Sequence, residues 1–537
     1  MAVLLDNNKH KLCINGNDNQ ILINNEKYLD YGIYIFPGKV KYGDEAFVIT
    51  VDIPIGNLNF YIPLNGYEIS GTQNAPYNWI INWGDNITET KSGISSSANT
   101  NCIQHTYLTS GIYKIVIKPV VNNYQWMRAW GFLTTTTGNA NTVTNKNKII
   151  NFDYLTNKSF MESSTSYGQS YLRQLAINAK IIYPVNEIQT VNENNISNID
   201  NNFRFQQYFG CSNLTTTTLE VLPSSITSIG NEFRSGQYFY CSNLTVPAAE
   251  VIPNSITSIG HDFRYGQYSY CSNLTITAVE VLSNNITIIN NNFRSGQYNN
   301  CHKLTTPTEE VLHNNIGNIG NGFRNNQYSS CYNLTVPAAE VIPNSITSIG
   351  HDFRFQQYFG CSNLTTTTPE VLPNNITSIN IGFRTGQYAY CSNLTIPAVE
   401  VLPNSITSIG NDFRSGQYAG CSNLTTTAVE VLPNSITSIG DNFRYQQYDS
   451  CSNILIGNHI HLRMDEFINT NIYSNNYREM FSMFYIGEKT TLDTIPKYKD
   501  KLGNIYPITN LTPSTRLYYC TNRTGIDGYA SLHANWK

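Results

Sequence analysis

Arg, Gln and Tyr recur as a fixed triplet, a guanidinium followed three and four residues later by an amide and a phenol, and together they offer ionic, hydrogen-bonding and stacking contacts. That is the chemistry of attachment rather than of bond breaking. The set runs Arg204, Gln207, Tyr208; Arg234, Gln237, Tyr238; Arg264, Gln267, Tyr268; Arg354, Gln357, Tyr358; and Arg414, Gln417, Tyr418, with further copies between and beyond. Such columns predict a periodic face for a repetitive ligand, a glycan or a filament. A plainer reading pairs the Arg column with Glu220 to Glu430, which stand in the same phase, as a charged stripe or two exposed stripes of opposite sign. Catalytic chemistry finds less support. There is no G-x-x-x-x-G-K-[ST], G-x-G-x-x-G, H-E-x-x-H or C-x-x-C, and His261 and His351 alone share a repeat phase among nine histidines. His459 and His461 with Asp465 and Glu466 form the one metal-like cluster, but two imidazoles without a spaced third ligand are weak. No catalytic residue, metal or cofactor is expected.

What positions the triplets is a strict period of 30 residues. Cys stands at 211, 241, 271, 301, 331, 361, 391, 421 and 451, and Phe-Arg recurs from Phe203-Arg204 to Phe443-Arg444 without insertion or deletion. One unit is Asn411 to Gly440, and a degenerate copy precedes the array, with Val191, Ile196 and Ile199 in phase but no Phe-Arg. A unit this short cannot bury an apolar face alone, so copies must stack as a solenoid. Within the unit, Leu424 to Leu432 reads as β-rich or briefly helical, Pro433-Asn434-Ser435 as a turn, and Ile436 to Ile439 as a second extended piece.

Stacking turns each position into a ladder with a step of about 4.8 Å. The Cys column is expected to be a core of small buried thiols rather than disulfides, since free Cys is among the most buried residue types. Cys13, Cys102 and Cys520 show no pairing pattern. The Asn column, Asn213 to Asn453 with Lys303 as its exception, is expected to bond loop backbone between coils. Nine stacked Arg repel by roughly 0.8 kcal/mol per neighbouring pair even in water, so something must offset them. Residues 205, 206, 209, 210 and their equivalents vary from copy to copy and are where specificity could reside.

The chain has 537 residues, 33 Lys plus Arg against 37 Asp plus Glu, and a net charge of -4, which supplies no basic footprint for nucleic acid. Thirty-seven Tyr and 23 Phe exclude a disordered chain. Ala2 to Leu5 is too short for the h-region of a signal peptide, and no apolar run of about 18 residues predicts a membrane span.

P-N-S-I-T-S-I-G, an aromatic three residues before Cys, and C-S-N-L-T together resemble the BspA-like leucine-rich repeat, also called the Treponema pallidum type, over residues 191 to 455. The resemblance implies a solenoid on a microbial surface, adhering to host proteins or other microbes. The stretches Asn411 to Gln417 and Thr425 to Leu432 are longer than the family's short form, so its surface roles transfer least there.

Upstream, Phe47 to Val121 alternates as a β-sandwich would. Trp83-Gly84-Asp85 and His105-Thr106-Tyr107 followed by Gly111-Ile112-Tyr113 are similar to the signature of the polycystic kidney disease (PKD) domain, with Asn86 where that family usually has Gly. Asn tolerates left-handed geometry, so the turn is expected to survive. The expected organisation is an N-terminal segment (1–44), a PKD-like β-sandwich (45–125), a linker and cap (126–190), a mainly β leucine-rich-repeat solenoid (191–455), and a C-terminal cap and tail (456–537). The expected role is non-catalytic adhesion at a cell surface or outside the cell, with a surface protein or glycan as partner. A phage-like particle component that recognises a host, or an enzyme on a solenoid scaffold, are the alternatives.

Overall fold

The computed structural model describes residues 46–65, 74–95, 102–121, 126–133, 138–155, 173–181 and 196–453 apart from short gaps, chiefly in the Leu-to-Glu connections of the repeats. It adds backbone pairing within 12–34, 166–167, 461–462 and 497–507. The chain forms two compact units, Met1–Ile226 and Thr227–Lys537. The first coil of the array thus belongs to the N-terminal unit.

The N-terminal unit begins with an antiparallel meander of β1 (Leu12–Asn15), β2 (Gln20–Ile23), β3 (Glu26–Asp30) and β4 (Ile33–Tyr34). Next come β5 (Phe47–Ile53), β6 (Asn59–Pro63), β7 (Pro76–Asn82), β8 (Thr88–Ile94), β9 (Cys102–Thr106) and β10 (Gly111–Pro119). The short helix α1 (Val143–Lys146) leads into β11 (Ile149–Leu155). The antiparallel sheet runs β11-β5-β10-β7-β8, and β6 pairs with β9 separately. Strand β11 lies inside the stretch expected to be linker: its residues pair with Phe47 to Val51, so the sheet extends 30 residues beyond position 125. Phe152 and Trp130 cover Phe47 with ring centroids 5.9 and 4.8 Å away, on the face of β5 where Phe47, Ile49, Val51 and Ile53 are all buried, while Thr50 and Asp52 on the other face are half-buried.

Within the same unit, the cap of the array has slipped phase. The N–H groups of Gln174, Ala176 and Asn178 donate to the carbonyls of Phe205, Gln207 and Phe209. In later coils those carbonyl positions receive Gly, Tyr and Tyr N–H groups, as Tyr238 donates to Gln267. Ala176 therefore stands where a repeat has Tyr, two residues out of the period, and Gln174 and Asn178 adopt the left-handed φ of the residues they replace. Ile196 and Ile199 of the degenerate copy are buried in phase, and it is only the part corresponding to Phe-Arg that the slip and the lost Tyr hide from a search at fixed spacing, while Val191 lies outside the described residues.

The second unit is the solenoid, mainly β. Each coil gives two two-residue strands to parallel ladders, one Ser-Ile (Ser378–Ile379 with Ser408–Ile409) and one Glu-Val (Glu370–Val371 with Glu400–Val401). The Pro-Asn-Ser turn forms as expected, with Ile406 N–H donating to Pro403 O at 3.2 Å. Gly350 ends a Ser-Ile strand where a Cβ would lie 2.4 Å from the backbone of Gly320, and in the two coils that carry Asn at this position, Asn290 and Asn380, the amide Nδ2 donates to the Ile carbonyl of the coil before.

The ten residues before each Cys are not a strand. Asp262, Arg264, Gly266 and Tyr270 have φ of 55 to 61°, and residues between them do not. The alternation folds the segment into tight turns: Tyr265, Gln267 and Ser269 N–H donate back to Asp262, Arg264 and Gly266 carbonyls at 3.1 to 3.2 Å. The intervening N–H groups of Asp262, Gly266, Tyr268 and Tyr270 point along the array to Asn291, Ser295, Gln297 and Asn299 carbonyls at 2.8 to 2.9 Å. A left-handed non-glycine residue costs roughly 1–2 kcal/mol. Backbone bonding within and between coils offsets it, because the N–H groups of residues 264 to 270 are all paired.

Candidate binding surface

The turn run carries the triplets, and the structure places every Arg, Gln and Tyr of them inside the coil. Arg204, Arg234, Arg264, Arg354 and Arg414 with their Gln and Tyr companions are 0 to 6% exposed. Side chains this buried offer no surface to a ligand. The expectation that they form the binding face is therefore corrected, and so is that of an exposed Arg stripe. The Glu side chains at 220 to 430 lie outside the described residues.

Their burial has a consistent physical account. Left-handed φ at Arg turns its side chain inward, and the guanidinium sits 4.6 to 5.0 Å from the ring of the preceding Phe in every coil from Arg234 to Arg444. The negative ring face offsets the repulsion along the column, by about 2 kcal/mol at a desolvated site. Phe stacks on Phe and Tyr on Tyr with centroids 5.3 to 5.7 Å apart and planes within 9°. The Gln amides make their own ladder: Gln357 Nε2 donates to Gln327 Oε1, and Gln387 Nε2 to Gln357 Oε1, both at 3.3 Å. Tyr hydroxyls reach the opposite side of the coil, where Tyr298, Tyr358 and Tyr418 accept from Ala278, Ala338 and Ala398 N–H.

The nine repeat Cys are buried free thiols, as expected. From Cys271 on, each Sγ donates to the Tyr carbonyl of the coil before, at 3.1 to 3.2 Å. Burial pushes these thiols up, Cys361 and Cys451 to about 12. The Asn column differs from expectation: Asn273, Asn363, Asn393 and Asn423 donate through Nδ2 to the side-chain oxygen of the Asn one coil earlier, at 3.2 to 3.5 Å. Identical side chains at identical depth satisfy each other, so no loop carbonyl is required.

What the solenoid presents outward are the Thr columns, whose hydroxyls bond the preceding coil as Thr407 Oγ1 does to Thr377 O, this Asn column, and the variable positions. Tyr240, Tyr265, Tyr270 and Tyr390 stand at the last of these, 37 to 58% exposed.

The N-terminal unit holds a different polar cluster. His105 Nε2 lies 2.7 Å from Asp85 Oδ2, its ring stacks on Trp83 at 4.5 Å, and the Tyr107 hydroxyl donates to Trp83 O at 2.9 Å. Asn86 has φ +70°, so it does supply the left-handed turn. The cluster ties β9 to the end of β7 and lacks a nucleophile. Lys148 is buried with Nζ donating to Asn57 O, Asn57 Oδ1 and Asn59 O, and burial lowers it. Lys146 donates to Leu133 O at 2.8 Å and is lowered by burial to about 8. Among the described residues no group of three or more His, Cys, Asp or Glu could hold a metal, and no helix is long and apolar enough to cross a membrane. The side chains of His459, His461, Asp465 and Glu466 lie outside the described residues.

Fold and surface thus define a mainly β repeat solenoid with an N-terminal antiparallel module. No family model matches the chain, and no curated protein does. Among solved structures it is similar to a leucine rich cell surface protein from Faecalibacterium prausnitzii A2-165, at 17% identity and a TM-score of 0.21, over 57% of this chain and 87% of that one. A leucine-rich repeat protein from Bacteroides ovatus ATCC 8483 is 16% identical with a TM-score of 0.21, over 57% of this chain and 82% of that one. The fold assignment rests on the coil-to-coil registers and not on these likenesses.

Proposed function

We propose that the chain is a non-catalytic surface adhesion or interaction protein of the BspA-like kind, in which the solenoid is a multivalent binding face and the N-terminal module a PKD-like spacer. One observation carries this reading: the interior of the coil is nearly invariant from copy to copy, whereas exposed positions such as 240, 265, 270 and 390 vary on a backbone fixed by bonds between coils. A rigid frame with changeable outward positions suits recognition, because little conformational freedom is lost on binding. Linked weak contacts along such a face add through effective concentration. The neighbour named as a cell surface protein agrees with a place outside the cell.

The test is to delete residues 291–350, which removes two whole units and rejoins the array in register. Circular dichroism verifies the fold, and attachment to whole cells, matrix proteins and glycans is compared with that of the full chain. The reading predicts a folded protein with reduced attachment. Equal attachment, or attachment retained by residues 45–155 alone, transfers recognition to the N-terminal module; no attachment by the full chain overturns the adhesion reading.

A further inference from the structure

Three aromatic side chains gather on the outside of two adjacent coils, and a fourth, Tyr265, is exposed on the second of them. Tyr240 and Tyr270 stack at 4.5 Å, and Phe239 meets them at 4.7 and 5.3 Å. The Phe239 ring lies over the backbone of Gly266, where a Cβ would touch it at 3.4 Å, and Tyr265 stands one residue before that glycine, 47% exposed. One coil further on, Gly296 faces open space, since a Cβ there would meet nothing within 4 Å. The result is an aromatic ledge beside a bare shelf. The backbone beneath it is fixed: Gly236, Tyr240, Gly266 and Tyr270 N–H donate to the next coil at 2.8 to 3.0 Å.

We infer that this ledge, built by Phe239, Tyr240, Tyr265 and Tyr270, is a stacking site for the pyranose rings of a neutral glycan. The inference rests on the adhesion reading and names its ligand class. Its first argument is charge. The three stretches 235–240, 265–270 and 295–300 read SGQYFY, YGQYSY and SGQYNN and contain no Asp, Glu, Lys, Arg or His. An acidic polysaccharide, a phosphate headgroup or a charged peptide would find no counter-ion there. The second is shape. A pyranose presents polarised C–H groups on its face and hydroxyls around its rim. Electron-rich ring faces suit the former, and the Tyr hydroxyls with the Asn299 and Asn300 amides at the border of the shelf suit the latter. No exposed aliphatic side chain lies in these stretches to suit the apolar anchor of a protein partner. Third, the motif returns. Tyr390, 58% exposed, meets Phe359 at 5.2 Å, five coils beyond Tyr240, on the order of 25 Å along the array at about 4.8 Å per coil. A chain of sugars long enough to reach both would bind them in tandem.

The full chain is titrated calorimetrically with cellohexaose, chitohexaose, laminarihexaose, maltohexaose and xylohexaose. At least one is expected to bind with a micromolar to millimolar Kd, and the combined Tyr240→Ala, Tyr265→Ala, Tyr270→Ala variant is expected to lose tenfold or more. Tyr332→Ala, at an equally exposed ring on another column, is expected to bind as the parent does. If the triple variant does not fold by circular dichroism, Tyr265→Ala alone is expected to lose at least threefold. Failure of all five sugars to bind, or an unchanged affinity in the folded Tyr variant, overturns the inference. A second arm separates it from the adhesion reading: attachment to cells is measured before and after periodate oxidation of their glycans. Undiminished attachment after periodate overturns the glycan inference and leaves adhesion standing, whereas binding of a hexasaccharide without attachment to any cell supports the glycan site and removes adhesion.

Discussion

The antiparallel module and the solenoid solve the same problem, satisfying polar groups away from water, in opposite ways. In the module the buried polar groups that are paired find unlike partners: Lys148 has Asn57 and Asn59, Asp85 has His105, and Trp79 Nε1 has the Trp126 carbonyl at 2.7 Å. In the coils several columns pair each group with another copy of itself, Gln on Gln, Asn on Asn, Phe on Phe. Unlike pairs are specific and local. Like pairs cost no extra design per coil, but every one of them is shared by two neighbours, so damage is passed both ways.

The largest expected effect breaks the like-on-like core. Ile346 is fully buried, and Ile346→Asp is expected to cost about 3–5 kcal/mol by placing an uncompensated charge between coils. Urea unfolding should show the lower midpoint, and amide exchange should accelerate in the coils on both sides; a midpoint equal to the parent's would remove the register described above. Next, Gln327→Leu takes away the acceptor of Gln357 Nε2 and is expected to cost about 1–3 kcal/mol. Replacing Gln327, Gln357 and Gln387 together by Leu should cost less than three times the single change, because both amide links among them give way to like-on-like contacts. Strict additivity in thermal melts would argue against the ladder.

A smaller contrast is written in pH. Lys146 titrates near 8 in the folded module against an ordinary 10.5, so the unfolded chain binds more protons between those values and the module gains stability as pH climbs through them. The thiols run the other way. Raised from 9.0 toward 12 by burial, they leave the coils' stability flat below pH 9 and withdraw it progressively above. Melting followed from pH 7 to 11 should show the two opposed trends, and Lys146→Met should lessen the rise, to which Lys148, also lowered by burial, contributes, without touching the fall. The same thiols should resist alkylation in the native protein and react fully in denaturant. The smallest effect belongs to the surface ladder: Asn363→Ala removes two exposed amide links and should move stability by no more than about 0.5 kcal/mol.

The period, the thiol core and the Pro-Asn-Ser turn were legible in the residues, because repetition at fixed spacing needs no knowledge of side-chain direction. Arg burial was not. A guanidinium is ordinarily taken for surface, and although the columns of Asp262 and Tyr270 hold Gly and Asn in other copies, nothing in the type of Arg264 signals left-handed φ. The one available clue was adjacency: Arg follows Phe in all nine copies, which is the pairing that the ring contact uses. Strand β11 was missed for another reason, since it pairs with β5 across about a hundred residues and completes a sheet that already looked finished. The ledge at Tyr240 was half legible. Variation at its positions could be seen, but the gathering of rings around Gly266 depends on a turn geometry no local pattern reveals.

The identical register of every coil contact also bears on heredity. A gene that gains or loses thirty codons anywhere within the array yields a protein in which each coil still meets its own likeness, with no junction that selection has to repair. Length is then a heritable quantity free to drift or be tuned, while the outward rings of each coil change independently by point substitution.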